Sequence, residues 1–119
     1  MAQPTVPASD PTATAVSDAV SRLYLDKFGK GAVRTETSMH EDLIVTVLYD
    51  IFTPAEKMLI EGGMRDSVLI TRQLWQHATE ALFRESVGRV TGRTVVAAIS
   101  GFAIPEGMAT EVFVLAPRI

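Results

Sequence analysis

Residues 43–63 read LIVTVLYDIFTPAEKMLIEGG, and the joint inside this stretch decides the fold. Leu43 to Phe52 is mostly apolar and rich in β-branched and aromatic residues, the composition of a strand. The pattern then changes. Thr53 stands three residues before Glu56, which is a capping box. In it the Thr hydroxyl accepts from the N–H of position 56, and the Glu carboxylate accepts from the N–H of position 53. Pro54 falls at the first helical position, where a missing N–H costs nothing and the fixed φ suits the helix. It also pushes Thr53 towards extended geometry. An anion site at this helix N-terminus is the competing use of the motif, but the charge on Glu56 would already occupy those donors. FTPAE reads as a strand-to-helix joint.

Working back from the joint, AVRTETSM (32–39) alternates and is the most polar strand candidate, which predicts an edge strand. HED (40–42) is its turn, and the strand at 43–52 is its antiparallel hairpin partner. Before that pair, Val16, Val20, Leu23 and Lys27–Phe28 recur at helical spacing, and Gly29 is placed to end the helix in the left-handed conformation. Residues 1–11 are rich in Pro, Ala, Ser and Thr and read as a disordered tail, leaving a single domain over 12–119.

Working forward, PAEKMLIE reads as a short helix that meets Gly62–Gly63. A longer segment from about Met64 to Val90 presents Val68, Thr71, Trp75, Ala78, Leu82 and Ser86 on one side. A Gly pair costs about 2 kcal/mol of helix propensity against Ala-Ala, which leaves open one kinked helix or two. Gly92 caps the long segment, and strands at 93–104 and 108–116 follow, joined through Pro105 and Gly107. The order α-β-β-α-β-β predicts an α+β two-layer sandwich: a four-stranded antiparallel sheet with the helices on one face.

Bulk properties narrow the function. With 119 residues and 47% hydrophobic content the chain suits one core. It contains no Cys, so disulfides, thiolate metal sites and a cysteine nucleophile are all absent. Eleven basic and 14 acidic residues give a net charge of −3 with no basic patch, which argues against nucleic acid and against steady attachment to an anionic membrane. The apolar runs at 43–52 and 94–104 are far shorter than the ~20 residues of a membrane span. A cytoplasmic protein without direct membrane insertion is expected.

Four blocks, DKFGKG (26–31), LIVTVLYDIFTPAEKMLIEGG (43–63), VTGRTV (90–95) and TEVFVLA (110–116), together resemble the MpsC-like domain, a bacterial family. The resemblance runs from about Ser17 to Ala116, and Ala32 stands where many members carry Pro after Gly-x-Gly. It implies an accessory, regulatory or partner-binding role near a Na-translocating, membrane-potential-generating system linked to inorganic-carbon uptake. It brings no agreed catalytic residues.

Candidate chemistry is sparse. FGKG has its glycines after a helix and before a strand, the reverse of a phosphate loop, and Lys30 there is expected to complement the helix dipole. His40, Glu41 and Asp42 diverge on a tight turn, and His77 has no i±4 ligand partner, so no metal site is expected. Ser100 lies inside a strand and lacks the nucleophile-elbow pattern. Asp50 and Glu111 are carboxylates within apolar strands; each is expected to meet solvent or to pair with Arg34 or Arg93. No catalytic residue and no cofactor follow.

The excess of apolar surface is the stronger signal. Leu43, Val45, Val47, Tyr49 and Ile51 occupy one strand face, and Ile44, Leu48 and Phe52 the other; Val112 and Val114 oppose Phe113 and Leu115. Leu69, Ile70 and Leu74 lie off the Trp75 stripe. Helices cover one sheet face only, so a second cover is expected, either another copy of the chain as a homo-oligomer (a dimer) or a membrane transport protein. Leu48, Leu69, Leu74, Trp75, Val112 and Phe113 are the expected buried or contact positions. Thr53, Pro54, Glu56, Gly29 and Gly92 are the expected structural caps. A non-enzymatic interaction module is the expected function. The alternative is a small-anion sensor with Arg34, Arg93 or Lys30 turned into a pocket between sheet and helices.

Overall fold

The computed structural model describes residues 10–118, so most of the tail expected over residues 1–11 lies outside the described residues. Asp10 and Pro11 already belong to the first helix. The Asp10 carboxylate accepts from the N–H groups of Thr12 and Ala13 at 3.0 and 3.2 Å, and Pro11 takes the first turn.

The elements are α1 (Pro11–Phe28), β1 (Arg34–His40), β2 (Leu43–Tyr49), α2 (Pro54–Glu61), α3 (Arg65–Thr91), β3 (Val95–Ala103) and β4 (Met108–Leu115). The question of one kinked helix or two is settled as two. Gly63 takes a φ of +84° between α2 and α3, a conformation that costs Gly nothing. The four strands form one antiparallel sheet in the order β1-β2-β4-β3, and the two hairpins join through β2 and β4.

The FTPAE joint is built as its sequence dictates. Thr53 caps α2 with its hydroxyl accepting from the Glu56 N–H at 3.2 Å, while Glu56 accepts from the Thr53 N–H at 2.8 Å. Gly29 and Gly92 both close their helices in the left-handed conformation, at φ of +85° and +70°. Lys30 departs from expectation. Its ammonium is drawn to the backbone carbonyls of Gly31 and Asp50 rather than to the last carbonyls of α1.

Alternation places Ile44, Thr46 and Leu48 of β2 beside Phe113, Glu111 and Ala109 of β4 on the face that receives the helices. Val16, Val20, Tyr24 and Phe28 of α1 cover it from one side, and Val68, Phe83 and Val87 of α3 from the other. The buried side of α3 is therefore Val68, Arg72, Gln76, Phe83 and Val87, rotated from the expected stripe. Of that stripe only Val68 is buried; Ala78 and Leu82 are exposed and Trp75 is half-buried, stacked on Phe28 with ring centroids 5.5 Å apart.

Arg93 holds the far end together. Its guanidinium donates to Asp42 Oδ1 at 2.5 Å and to the carbonyls of Glu41 and Ala116 at 3.0 and 2.8 Å, tying the β1–β2 turn to the ends of α3 and β4.

Candidate functional site

Three arrangements could carry function, and the alternation of β4 builds the first and the third. The first is a buried polar cluster around Glu111, which is 1% exposed. Tyr24 of α1 donates to Glu111 Oε2 at 2.6 Å, Ser100 of β3 donates to Oε1 at 2.6 Å, and the Gln76 amide of α3 donates to Oε2. The same amide donates to Ser100 Oγ at 2.8 Å. Burial pushes the Glu111 carboxyl up to about 7, against the downward pull of the hydrogen bonds from Ser100 and Tyr24. Burial and the neighbouring Glu111 charge hold the Tyr24 hydroxyl well above its usual range, so it stays a donor.

This overturns the expectation that Glu111 meets solvent or an arginine. Its partners come from three other elements, and Arg34 and Arg93 are elsewhere. Arg34 lies over the Tyr49 ring at 4.0 Å, and Arg93 takes Asp42. Asp50 is exposed and pairs with Lys57 at 3.3 Å, so the two carboxylates never meet. Thr46, directly across from Glu111, is also fully buried; its hydroxyl meets Thr37, which meets Ser17, extending the polar layer to α1.

Beside the cluster a cleft of about 220 Å³ opens between α3 and β3, lined by Gln73, Gln76, His77, Glu80, Ser100 and Glu111 with Phe83, Ala98 and Phe102. No Lys or Arg lines it, so none of Arg34, Arg93 or Lys30 turns into this pocket as the anion-sensor alternative requires. The Gln76 carbonyl oxygen is buried without a partner.

The second arrangement is a charged pair inside the core. Arg72 is fully buried; its Nε donates to Glu56 Oε2 at 2.6 Å and its Nη2 to Glu56 Oε1 at 2.7 Å and to the Ile51 carbonyl at 2.9 Å. The rings of Tyr24, Phe28, Phe52 and Trp75 surround the guanidinium at 5.3–6.0 Å. Burial alone would raise the Glu56 carboxyl, but the hydrogen bonds from Arg72 and Thr53 bring it below its ordinary value. Nη1 of Arg72 is buried without a partner. The pair fixes α2 against α3.

The third arrangement is the sheet face away from the helices. Leu43, Val45, Val47 and Tyr49 of β2 lie there beside Val112, Val114 and Thr110 of β4 and Ala97 and Ile99 of β3. Ile99 is 59% exposed and Leu43 38%. Of the expected contact positions, Val112 sits on this face, and Leu74 is exposed on α3. Leu69 and Trp75 are half-buried against the core, while Leu48 and Phe113 lie inside it.

A family model described as "Na+-translocating membrane potential-generating system (MpsC)" matches residues 11–117. No curated protein and no solved structure matches the chain.

Proposed function

The chain belongs to the MpsC family, and from that premise we propose that it works by association: a non-enzymatic accessory or regulatory module, cytoplasmic, serving a cation-translocating or inorganic-carbon-uptake membrane system. No helix among the described residues is long and apolar enough to cross a membrane, so the coupling we propose runs through contact with a membrane component. The observation that carries this reading is the open apolar sheet face.

Magnitudes define the kind of contact. The edge strand β1 puts Arg34, Glu36, Ser38 and His40 on this face, so its apolar part is the other three strands. At about 4.8 Å per strand and some seven residues of ~3.3 Å each, they span roughly 330 Å². A largest apolar patch of about 300–600 Å² is common on monomers and is often functional. It is less than half of the ~800 Å² per partner of a standard stable interface. The face therefore supports a reversible, concentration-dependent contact rather than an obligate one. Light scattering tests the self-association: the mass should rise above 12.9 kDa across tens of micromolar, and a strict monomer would sink this part of the proposal.

A further inference from the structure

The sheet has two outer edges, and they are guarded unequally. On β1 the residues are RTETSMH, with Arg34, Glu36 and His40 along the open face. Charges of this kind discourage another strand from pairing. The β3 edge reads VVAAISGFA, with no charged residue and no Pro. At one end the Val96 carbonyl is taken by Arg84 Nη2 at 3.1 Å, beside the register shift between Val95 and Ala97. From Ala97 to Ala103, no other element among the described residues pairs with the outer side of the strand. Every second residue of such an edge presents an unpaired N–H and C=O.

The cleft described above runs along this same edge, between Ala98, Ser100 and Phe102 of β3 and Gln73, Gln76, His77 and Glu80 of α3. At about 220 Å³ it is smaller than the ~300–1,000 Å³ of pockets that enclose a drug-sized ligand, and suits one long side chain. Its lining carries two carboxylates, Glu80 and Glu111, and no Lys or Arg. Glu80 leans on Arg84 Nε at 3.2 Å, but the two side chains are 42% and 38% exposed, and a pair that open to solvent is weak. A carboxylate has about four acceptor positions, so capacity remains. The buried Gln76 carbonyl oxygen without a donor is a second acceptor in need of a partner.

We propose that the outer edge of β3 and the adjoining cleft bind an extended segment of a partner protein as a fifth strand, with an arginine or lysine side chain of that segment entering the cleft. Main-chain pairing supplies affinity, and the side-chain pocket supplies selectivity. A second copy of this chain fits the edge less well. Its own β3, VVAAISGFA, would bring no arginine or lysine to the cleft. A partner segment that carries one meets both requirements. The inference rests on the reading of the chain as an interaction module and adds where a partner binds and what it must present.

The test titrates ¹⁵N-labelled protein with a short alternating Thr–Val peptide bearing a central arginine, and with versions bearing norleucine or glutamate there. The amides of Ala97 to Ala103 and the Gln76 side-chain amide should shift, and the arginine peptide should bind about tenfold more tightly than the norleucine one, or 1.4 kcal/mol. The glutamate peptide should be weaker still. Glu80→Lys, at a half-exposed position of α3, should erase the preference for arginine; Glu80→Gln should reduce it. Equal affinity for all three peptides, or no shift along β3 at millimolar peptide, overturns the proposal. Shifts of the β3 amides with protein concentration alone overturn it too, in favour of a second copy. A failed titration with a rising light-scattering mass leaves the open-face reading standing, whereas a strict monomer that binds the arginine peptide removes self-association alone.

Discussion

Glu111 shows how one side chain acquires its character from the layers around it. In β4 it alternates inward with Ala109, Phe113 and Leu115, and three donors meet it there. Its carboxyl titrates at about 7 instead of 4.5, because burial penalises the charge more than the hydrogen bonds repay. The folded state therefore binds a proton more tightly than the unfolded chain. Stability from this group is complete below about pH 4.5 and is lost as pH rises through about 7. A shift of that size corresponds to about 3 kcal/mol. Glu56 has the opposite sign: its pKa is lowered, its contribution is lost only on acidification below the ordinary carboxylate range, and it adds no slope above pH 5 or so. Urea midpoints should thus fall between about pH 5 and about pH 8 in the wild type and stay nearly flat in Glu111→Gln, which keeps the shape and removes the titration. A slope that persists in the variant would assign the effect to another group. The sequence marked Glu111 as odd, a carboxylate in an apolar strand, but its partners Tyr24, Gln76 and Ser100 lie 87, 35 and 11 residues away. Nothing local connects them.

At the level of elements, α2 is a helix of eight residues, too short to persist by itself, and two features of the chain hold it. The capping box fixes its start, and Thr53→Ala should cost about 1 kcal/mol. The Arg72–Glu56 pair fixes it to α3 and is worth more to keep intact than to have. Arg72→Ala should cost about 3–5 kcal/mol, since it leaves the buried Glu56 carboxylate without its cation and the Ile51 carbonyl without its donor. The double variant Arg72→Met with Glu56→Gln should recover most of that loss, because an apolar side chain of similar length refills the ring of aromatics. Urea denaturation of both measures the difference, and a double variant as unstable as the single one would mean that the charges themselves hold the packing. The capping box was legible because all its parts lie within four residues. The role of Arg72 was not. Apolar spacing selects Trp75 and Leu82 and rejects Arg72 and Gln76, yet the latter two face inward because each meets a carboxylate from another element. Stepping back from Val87 and Phe83 by helical turns does reach Gln76, Arg72 and Val68, so the spacing held the answer that residue polarity concealed.

For the molecule as a whole, the two sheet faces differ in what a substitution should do, and that difference is the test of the proposed association. The sequence made both faces apolar through the strict alternation of 43–49 and 108–115, and the register confirms which residues share each face. Leu48 is fully buried under the helices, so Leu48→Ala should cost about 2–5 kcal/mol and leave the assembly surface unchanged. Val45 stands on the open face, half-buried by its neighbours alone. Val45→Lys places an ammonium where the monomer has water and where a second copy would have apolar side chains. The monomer should tolerate it within about 1 kcal/mol, the span of strand propensity at a sheet position. The associated form should not, because an unpaired charge taken out of water costs several kcal/mol. Light scattering should then give 12.9 kDa for Val45→Lys at concentrations where wild type and Leu48→Ala are heavier, with the thermal midpoint lowered much further in Leu48→Ala than in Val45→Lys. A Val45→Lys protein that kept the larger mass would move the contact off the open face, onto the exposed side of α3 around Leu74 and Ile70.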